Sequence, residues 1–307
     1  MKSSYPDTEL THLKPSPMEE VDKVLARPPQ TAFGYPREFL ENRFVYVVIS
    51  PRARGLAIGI NMNPDRQCNF DCSYCEVDHL ATPMAKELDL DIMAAELEYT
   101  LGQVRSGRLS EHPHFRSIHP DLLRLRHVAL SGDGEPTLSP RFAEAVQVAV
   151  HVRARCLGSF FKLVLMTNST GLDVPVVRHG LRYFTREDEV WAKLEAGTQP
   201  YMDLVNHSDV PLEKILSNIL LLGRERPVVI QSMFPLINGQ EPGSDEIEEY
   251  INRLNELKHG GAQISLVQIY SASRPHAHPE FSHLPLKILS RICQRVKAAT
   301  GLKAEVF

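Results

Sequence analysis

The sequence predicts an α/β fold in which a parallel sheet curls into a partial barrel of six strand–helix units, a (β/α)6 arrangement. Two observations predict it: apolar, β-rich runs recur along the chain, and each is followed by a segment with helical spacing. Such alternation favours parallel strands joined by right-handed helical crossovers. Six units are fewer than the eight of a closed barrel, so the predicted barrel has an open side.

The strands are predicted where β-branched and apolar residues cluster in short runs, because these residue types are enriched in strands. The runs lie at 56–60, 127–130, 162–166, 190–194, 227–234 and 264–270. The helices are predicted from apolar residues three and four positions apart, and lie at 90–105, 139–153, 173–180, 211–222, 243–258 and 285–298. Pro211 suits the first turn of the fourth helix. That helix has one apolar face, formed by Leu212, Ile215, Leu216, Ile219 and Leu220.

Residues 1–44 are predicted to form an extended N-terminal arm, and residues 45–307 a single core domain. The arm is rich in proline and polar residues, in stretches such as KPSP, RPPQ and YPRE, which are typical of irregular structure. A chain of 307 residues has an ordinary length for one α/β barrel.

The composition is typical of a soluble globular protein without a broad basic surface. Hydrophobic residues make up 43% and charged residues 23%, and the net charge is −4, so DNA binding is not expected. No apolar run approaches the ~20 residues that span a bilayer, and the N-terminus lacks the apolar segment of a secretory signal. Five cysteines, an odd number, do not suit a disulfide framework. We therefore expect a cytoplasmic protein without a membrane partner.

Polar segments follow every predicted strand, at the strand ends where this architecture places its chemistry. They are CNFDCSYC, SGDGEPT, TNST, KLEAG, residues 231–235 and YSASRP. These segments therefore carry the candidate functional residues.

The segment CNFDCSYC holds three of the five cysteines, Cys68, Cys72 and Cys75. Three thiolates on one loop can bind a four-iron cluster and leave one iron open, as a catalytic metal site requires. A zinc site is the alternative, because His79 completes a C-x3-C-x2-C-x3-H pattern that could close a tetrahedral structural site. The chain would then be a non-catalytic zinc-binding module, and the spacing alone does not exclude it.

The pattern C-x3-C-x-aromatic-C, with Tyr74 before the last cysteine, resembles the radical S-adenosylmethionine (radical SAM) enzymes, whose fold is a partial TIM-like barrel. The resemblance implies a [4Fe–4S] cluster on Cys68, Cys72 and Cys75, with the amine and carboxylate of S-adenosylmethionine on the open iron. Reductive cleavage of this cofactor would give a 5′-deoxyadenosyl radical that abstracts hydrogen from a substrate. An external electron donor, flavodoxin or ferredoxin, is implied as a partner.

The second strand end carries the next part of the resemblance, because SGDGEPT is similar to the motif that follows the second strand in this superfamily. Gly132 and Gly134 would let backbone approach the cofactor closely, since glycine has no Cβ. The resemblance assigns Glu135 to the methionine amine of the cofactor. A simple strand–helix turn is the structural alternative for these glycines.

Further cofactor contacts are implied at the other strand ends. They fall on Tyr74 (adenine), Thr167, Asn168 and Ser169 (ribose or methionine carboxylate), Lys193 (carboxylate), Glu195 (ribose) and Gln231 (adenosine). Four of these residues have a structural alternative: an ion pair between Lys193 and Glu195, an apolar anchor at Tyr74, and filling of the barrel interior at Gln231.

Within the superfamily, the chain resembles the group that contains the tRNA wybutosine-synthesising enzymes, over about residues 55–307. The shared pieces are GEPTL, KLEAG, the NHS segment at 206–208 and QIYSASRP. The cysteines that carry an additional cluster in those enzymes are missing here. Cys156 and Cys293 are isolated and are expected to be small buried hydrophobic residues. The substrate is therefore left open between a small molecule and RNA.

Candidate residues for substrate binding follow the sixth predicted strand and the cysteine segment. Arg274 suits bidentate binding of a carboxylate or phosphate, and His276 and His278 lie beside it in the sequence. An exposed proline-rich loop is the alternative for this segment. Glu76, Asp78 and His79 directly follow the cysteines and are candidates for contact with cofactor or substrate, with a structural role as the alternative for the histidine.

Overall fold

The structure is a computed structural model that describes residues 39–77, 79, 82–156, 160–272 and 278–307. Most of the predicted N-terminal arm lies outside the described residues, and so do three candidates for substrate binding, Asp78, Arg274 and His276. Within the described residues, no helix is both long and apolar enough to cross a bilayer.

The described residues contain ten strands. They are β1 (Val45–Ser50), β2 (Gly55–Asn61), β3 (Leu125–Ser131), β4 (Lys162–Thr167), β5 (Glu189–Lys193), β6 (Val228–Met233), β7 (Pro235–Ile237), β8 (Ile264–Tyr270), β9 (Phe281–His283) and β10 (Ala304–Val306). Eight of them form one sheet in the order β1-β2-β3-β4-β5-β6-β8-β10, and β7 pairs with β9 in a small antiparallel ribbon. From β2 to β10 all neighbours are parallel, whereas β1 is antiparallel to β2.

Seven α-helices lie within the described ranges. They are α1 (Leu90–Arg105), α2 (Phe142–Arg155), α3 (Pro175–Leu181), α4 (Gln199–Asn206), α5 (Leu212–Glu225), α6 (Ser244–His259) and α7 (Leu286–Thr300). The predicted α/β fold is confirmed, because each of the six predicted strand–helix units is present. The elements that were not predicted are β1, β10, the β7–β9 ribbon and α4.

The sheet has two chemically different faces. Alternate residues such as Ile58, Val128 and Leu163 pack with the helices in one large apolar core. The opposite face carries a small separate cluster of Val164, Trp191 and Val229, with polar side chains around it. We call this second face the inner face. On each strand it consists of every second residue, namely those on the same side of the sheet as Trp191.

Contacts between the two ends of the strand order show that the sheet curls. Arg54, in the turn between β1 and β2, forms an ion pair of 2.7 Å with Glu305 of β10. Its neighbour Arg52 lies over the ring of Tyr270 at the end of β8, 4.4 Å from the ring centroid. The first and last strands thus come together through side chains, while the described backbone ladder leaves β1 and β10 unpaired with each other. This is a partial barrel with an open seam.

Candidate active site

The cysteine loop that follows β2 is docked on the end of α4. The amide of Asp71 donates to the carbonyl of Asn206 at 3.1 Å, and the amide of Ser73 donates to the carbonyl of Val205 at 2.9 Å. The Ser73 hydroxyl donates to the carbonyl of Leu204 at 3.1 Å. The last carbonyls of a helix have no partner within the helix, so this loop supplies the missing donors. The position of the three cysteines is therefore set by a helix that the sequence pattern did not predict.

Asn69, between the first two cysteines, connects the loop to two other strand-end segments. Its side-chain oxygen accepts from Asn168 Nδ2 at 2.8 Å, and its side-chain nitrogen donates to Thr170 Oγ1 at 3.0 Å. The hydroxyl of Ser208 donates to the Asn69 carbonyl at 3.3 Å. The structure thus brings TNST and NHS together around the cysteine loop, and the Asn168 side chain faces that loop.

The glycines of SGDGEPT pack against protein backbone. A Cβ on Gly134 would overlap the carbonyl oxygen of Gln67, directly before Cys68, and a Cβ on Gly132 would overlap the side chain of Asn61. The amide of Glu135 donates to that same Gln67 carbonyl at 3.0 Å. Close approach of two loops therefore accounts for glycine at these positions, and cofactor contact by Gly132 and Gly134 stays a prediction.

Glu135 is a buried carboxylate that ties the second strand end to the third. Oε1 accepts from the amide and hydroxyl of Thr137, at 3.1 and 2.7 Å, and from the Thr167 hydroxyl at 2.5 Å. Oε2 accepts from the Asn168 amide at 2.7 Å. Burial raises the pKa of Glu135, although these hydrogen bonds oppose the rise. Oε2 keeps a lone pair for a further donor, as binding of an ammonium group requires.

Thr167 and Ser169, assigned to the cofactor by resemblance, also make internal contacts. The Ser169 amide donates to Thr167 Oγ1 at 3.0 Å, and the Ser169 hydroxyl donates to the carbonyl of Lys193 at 3.2 Å. Ser169 has a φ of 72°, in the left-handed region, and its side chain is fully buried. Asn218 of α5 donates to the carbonyls of Ser169 and Thr170, at 2.9 and 2.8 Å, and thereby holds this turn.

Glu195 joins the cysteine loop to the end of β5. Its Oε2 accepts from the hydroxyl of Tyr74 and from Asn206 Nδ2, the latter at 2.7 Å. Asn206 Nδ2 also lies 3.4 Å from the Cys72 sulfur. The other carboxylate oxygen, Oε1, is buried and has no hydrogen-bond partner among the described residues. An acceptor left open beside the cysteine loop suits a hydroxyl donor of a bound cofactor.

Lys193 places a positive charge next to the thiols. Its Nζ lies 5.3 Å from the centroid of the Tyr74 ring. Burial alone would lower the pKa of Lys193, but Glu195, then Tyr270 and the thiolates of Cys72 and Cys75, raise it overall. The lysine therefore remains charged, and it is a suitable partner for an anionic group bound beside the cysteines.

The three cysteines are half-buried free thiols. Burial raises the pKa of Cys68 to about 11 and that of Cys72 to about 12, and it also raises the pKa of Cys75. Lys193 opposes the rise at all three sulfurs. Because metal ligation requires thiolates, cluster binding would release protons from this loop and gain from the neighbouring lysine.

The arrangement around His79 bears on the zinc interpretation. His79 Nε2 lies 3.5 Å from the Cys75 sulfur, and His79 Nδ1 lies 3.1 Å from the Arg66 carbonyl oxygen. However, no three histidine, cysteine or acidic side chains of the described ranges are grouped so as to hold one metal ion. In a four-iron cluster each thiolate binds its own iron, so the three need not converge on a single ion. Binding of a cluster by the three cysteines stays a prediction.

Gln231 lies on the inner face of β6, in register with Lys193 of β5 and Gln268 of β8. Its Nε2 donates to Gln268 Oε1 at 2.8 Å, and both side chains are buried. The structure therefore brings Gln231 close to Lys193, while its contact with adenosine stays a prediction.

The remaining sequence candidates are placed as follows. His278 lies near the cysteine loop, with its ring centroid 6.2 Å from that of His207, whose Nε2 is 3.2 Å from Ser73 Oγ. Cys293 is buried in α7 as expected. The expectation that Cys156 is buried is wrong, because this residue caps the exposed C-terminal end of α2 and is half-buried.

Asn69 and Asn206 are the main site residues that the sequence reasoning did not assign. Asn206 stands in the NHS segment, so the resemblance marked the segment but gave its side chain no role. Asn69 lies inside the cysteine segment, where nothing distinguishes it from a connector. Asn69 lies 99 positions from Asn168, and Asn206 lies 134 positions from Cys72, so only the fold brings these pairs together.

Comparisons with known proteins agree with this architecture. No family model matches the chain. UPF0026 protein MJ1312 of Methanocaldococcus jannaschii is 23% identical over 175 residues, which cover 56% of this chain and 47% of that protein. The match therefore spans about half the length of this relative.

Two solved structures have a similar fold, at 14% sequence identity in each case. Streptococcus suis SuiB, crystallised with S-adenosylmethionine bound, has a TM-score of 0.55 and matches 80% of this chain and 49% of its own. TYW1, with a lysine–pyruvate adduct bound, has a TM-score of 0.53 and matches 95% of this chain and 92% of its own. Both are radical SAM enzymes.

Proposed function

We propose that this chain, which has the fold of the radical SAM enzymes, binds a [4Fe–4S] cluster through Cys68, Cys72 and Cys75 and cleaves S-adenosylmethionine reductively. When bound, the cluster and cofactor would supply a 5′-deoxyadenosyl radical that abstracts hydrogen from a substrate. One observation carries the proposal. Three free thiols stand on a loop at the carboxyl edge of the parallel sheet, with hydrogen bonds from three further strand-end segments around them.

The chain's own residues would bind and orient the cofactor. Glu195 Oε1 is the open buried acceptor for a ribose hydroxyl, and Glu135 Oε2 has capacity for the methionine amine. Lys193 is a charged donor for the carboxylate. Asn206 holds Glu195 and contacts Cys72, so it fixes the distance between the cluster loop and the cofactor residues.

Reductive cleavage of the cofactor also requires an electron, which the described side chains do not supply. We propose an external donor such as flavodoxin or ferredoxin, as in the resemblance. The substrate is proposed to be a small molecule that enters through the open side of the partial barrel. RNA is the other substrate class, and binding of tRNA that weakens steeply with salt would identify it.

Anaerobic purification tests the proposal directly. The chain is expected to carry about four irons and to form 5′-deoxyadenosine from S-adenosylmethionine on chemical reduction. Cys72→Ala is expected to abolish cleavage of the cofactor, whereas Cys156→Ala, at the half-buried end of α2, serves as the matched control and retains it. A colourless protein with one zinc and no cleavage would contradict the proposal.

A further inference from the structure

Two positively charged side chains on the inner side of the sheet have no carboxylate within ion-pair distance among the described residues. Arg52 lies over the ring of Tyr270, and its guanidinium has no hydrogen bond or ion pair with a described residue. Lys193 lies over the ring of Tyr74 and, among the described side chains, has no carboxylate within ion-pair distance. On the same face, Lys162 is paired with Glu189 at 2.5 Å. Arg52 and Lys193 are both half-buried.

His127 provides a second, independent indication of a polar occupant. It lies on the inner face of β3 and is fully buried, yet neither ring nitrogen has a hydrogen-bond partner in the described part of the chain. Its ring meets the edge of Trp191 at a centroid distance of 5.2 Å. Buried polar atoms are almost always hydrogen-bonded in folded proteins, so the two nitrogens indicate a partner that the described residues do not provide.

These side chains lie close enough to one another to shift each other's pKa values. Burial raises the pKa of Tyr270, and both Arg52 and Lys193 oppose the rise. Burial lowers the pKa of His127 to about 3, with further lowering by Lys162 and Arg52. Arg52 therefore lies within electrostatic reach of both Tyr270 and His127, and His127 is a neutral imidazole that can donate one hydrogen bond and accept another.

We propose that the inner face of the sheet binds an oxyanion, a carboxylate or a phosphate, of the substrate, with Arg52 as its charge partner. A guanidinium matches both groups with two parallel hydrogen bonds, and its ring contact with Tyr270 leaves the N–H edge available. His127 provides neutral polar contacts deeper on the same face. Tyr74 and Lys193 connect this region to the cysteine loop, where hydrogen abstraction is proposed to occur. The proposal rests on the proposed function only in naming the bound molecule a substrate.

Calorimetric titration of the full-length chain, purified anaerobically, tests the site with three probes that share a phenyl ring: benzoate, phenyl phosphate and benzamide. We expect one of the two anions to bind at least about tenfold more tightly than neutral benzamide, and Arg52→Gln to remove at least about tenfold of that affinity. The preferred anion identifies the substrate group. Arg54→Gln is the matched control, because Arg54 lies in the same turn but is exposed and paired with Glu305, and it is expected to stay within about twofold of the wild type. Trp191, the single tryptophan, should change its emission on binding.

A repeat with saturating S-adenosylmethionine separates a substrate site from a cofactor site. Unchanged affinity for the anion supports the proposal, and competitive displacement overturns it. Equal affinities of the wild type and Arg52→Gln for both anions would also overturn it. Binding of an anion through Arg52 by a chain that neither carries iron nor cleaves the cofactor would refute the proposed function and leave oxyanion binding standing.

Discussion

At the residue scale, the site depends on close backbone contacts that only glycine allows. Gly134 packs on Gln67 of the cysteine loop, and Gly197 in KLEAG packs on the backbone of Tyr250 in α6. The sequence interpretation linked the glycines of SGDGEPT to the approach of a ligand. In the structure, the atoms nearest to these glycines belong to the protein itself, so these positions control where the cysteine loop lies.

Gly134→Ala is expected to impair cluster binding more than folding. The added Cβ would overlap the Gln67 carbonyl, and relief requires the loop that carries Cys68 to move. We expect a destabilisation of about 1–3 kcal/mol, with iron content and cofactor cleavage reduced at least about tenfold. Iron analysis and 5′-deoxyadenosine formation measure the effect. Gly102→Ala in α1, where a Cβ meets nothing within 4 Å, is the control and should stabilise the chain by about 1 kcal/mol. Wild-type iron content in Gly134→Ala would contradict this account of the loop.

The cysteine ligands were predictable because their signal is local: three thiols within eight positions need no tertiary information. Glu135 was predictable for the same reason. The roles of Asn69 and Asn206 were not, because an asparagine side chain has no pattern of its own. Asn206 reaches Cys72 from 134 positions away, which requires α4 to be in place.

At the scale of elements, length accounts for most of what the sequence could predict. The six predicted strands have five to seven residues, and five of the six predicted helices have 14 to 16 residues, so their periodicity is readable. Two elements depart from this rule, because α3 was predicted with seven residues and β1 was missed with six. Strands β7, β9 and β10 have three residues each, too few to show a period. Helix α4 has eight residues and follows a Thr-Gln-Pro start, with Thr198 as its N-cap. Its stability depends on the cysteine loop at its other end, which is a tertiary contact.

Asp188 is a buried carboxylate that joins helix α2 to strand β4. Its carboxylate accepts two hydrogen bonds from Arg153 of α2, at 2.6 and 3.1 Å, and further ones from the amides of Leu163 in β4 and Thr185. Burial would raise the pKa of Asp188, but Arg153 and these amides lower it overall. Asp188→Asn leaves a buried guanidinium without its counter-ion, and we expect a loss of about 3–5 kcal/mol in the free energy of unfolding.

Urea denaturation of Asp188→Asn and of a control variant measures this loss in the free energy of unfolding. Asp173→Asn is the matched control, because Asp173 pairs with Lys214 at a half-exposed position and should cost less than about 1 kcal/mol. Equal unfolding free energies for the Asp188 and Asp173 variants would show that the α2–β4 junction does not depend on this ion pair.

At the scale of the whole molecule, the partial barrel separates two environments. The outer face of the sheet is an apolar core against the helices, whereas the inner face combines a small apolar cluster with buried or half-buried polar groups. The sequence predicted six units and an open barrel, and both are confirmed. The way the seam closes was not predictable, because the contact between Arg54 and Glu305 joins residues 251 positions apart.

The inner face also gives the whole chain a specific pH dependence through His127. The folded ring stays neutral down to a pKa of about 3, whereas an unfolded histidine titrates near its ordinary value of 6.5. Protons therefore bind the unfolded chain first as the pH falls below about 6.5, so the stability present at pH 7 is progressively lost towards pH 3.

Between pH 7 and pH 5, protonation of this histidine in the unfolded chain should lower the free energy of unfolding by about 2 kcal/mol. His127→Gln cannot titrate, so its unfolding free energy should fall by about 2 kcal/mol less than that of the wild type over the same interval, as measured by urea denaturation at both pH values. His179→Gln, at an exposed position of α3, keeps the wild-type dependence. A His127→Gln curve parallel to that of the wild type would mean that the inner face admits the charged imidazole, and would place water or an anion beside it already in the unliganded chain.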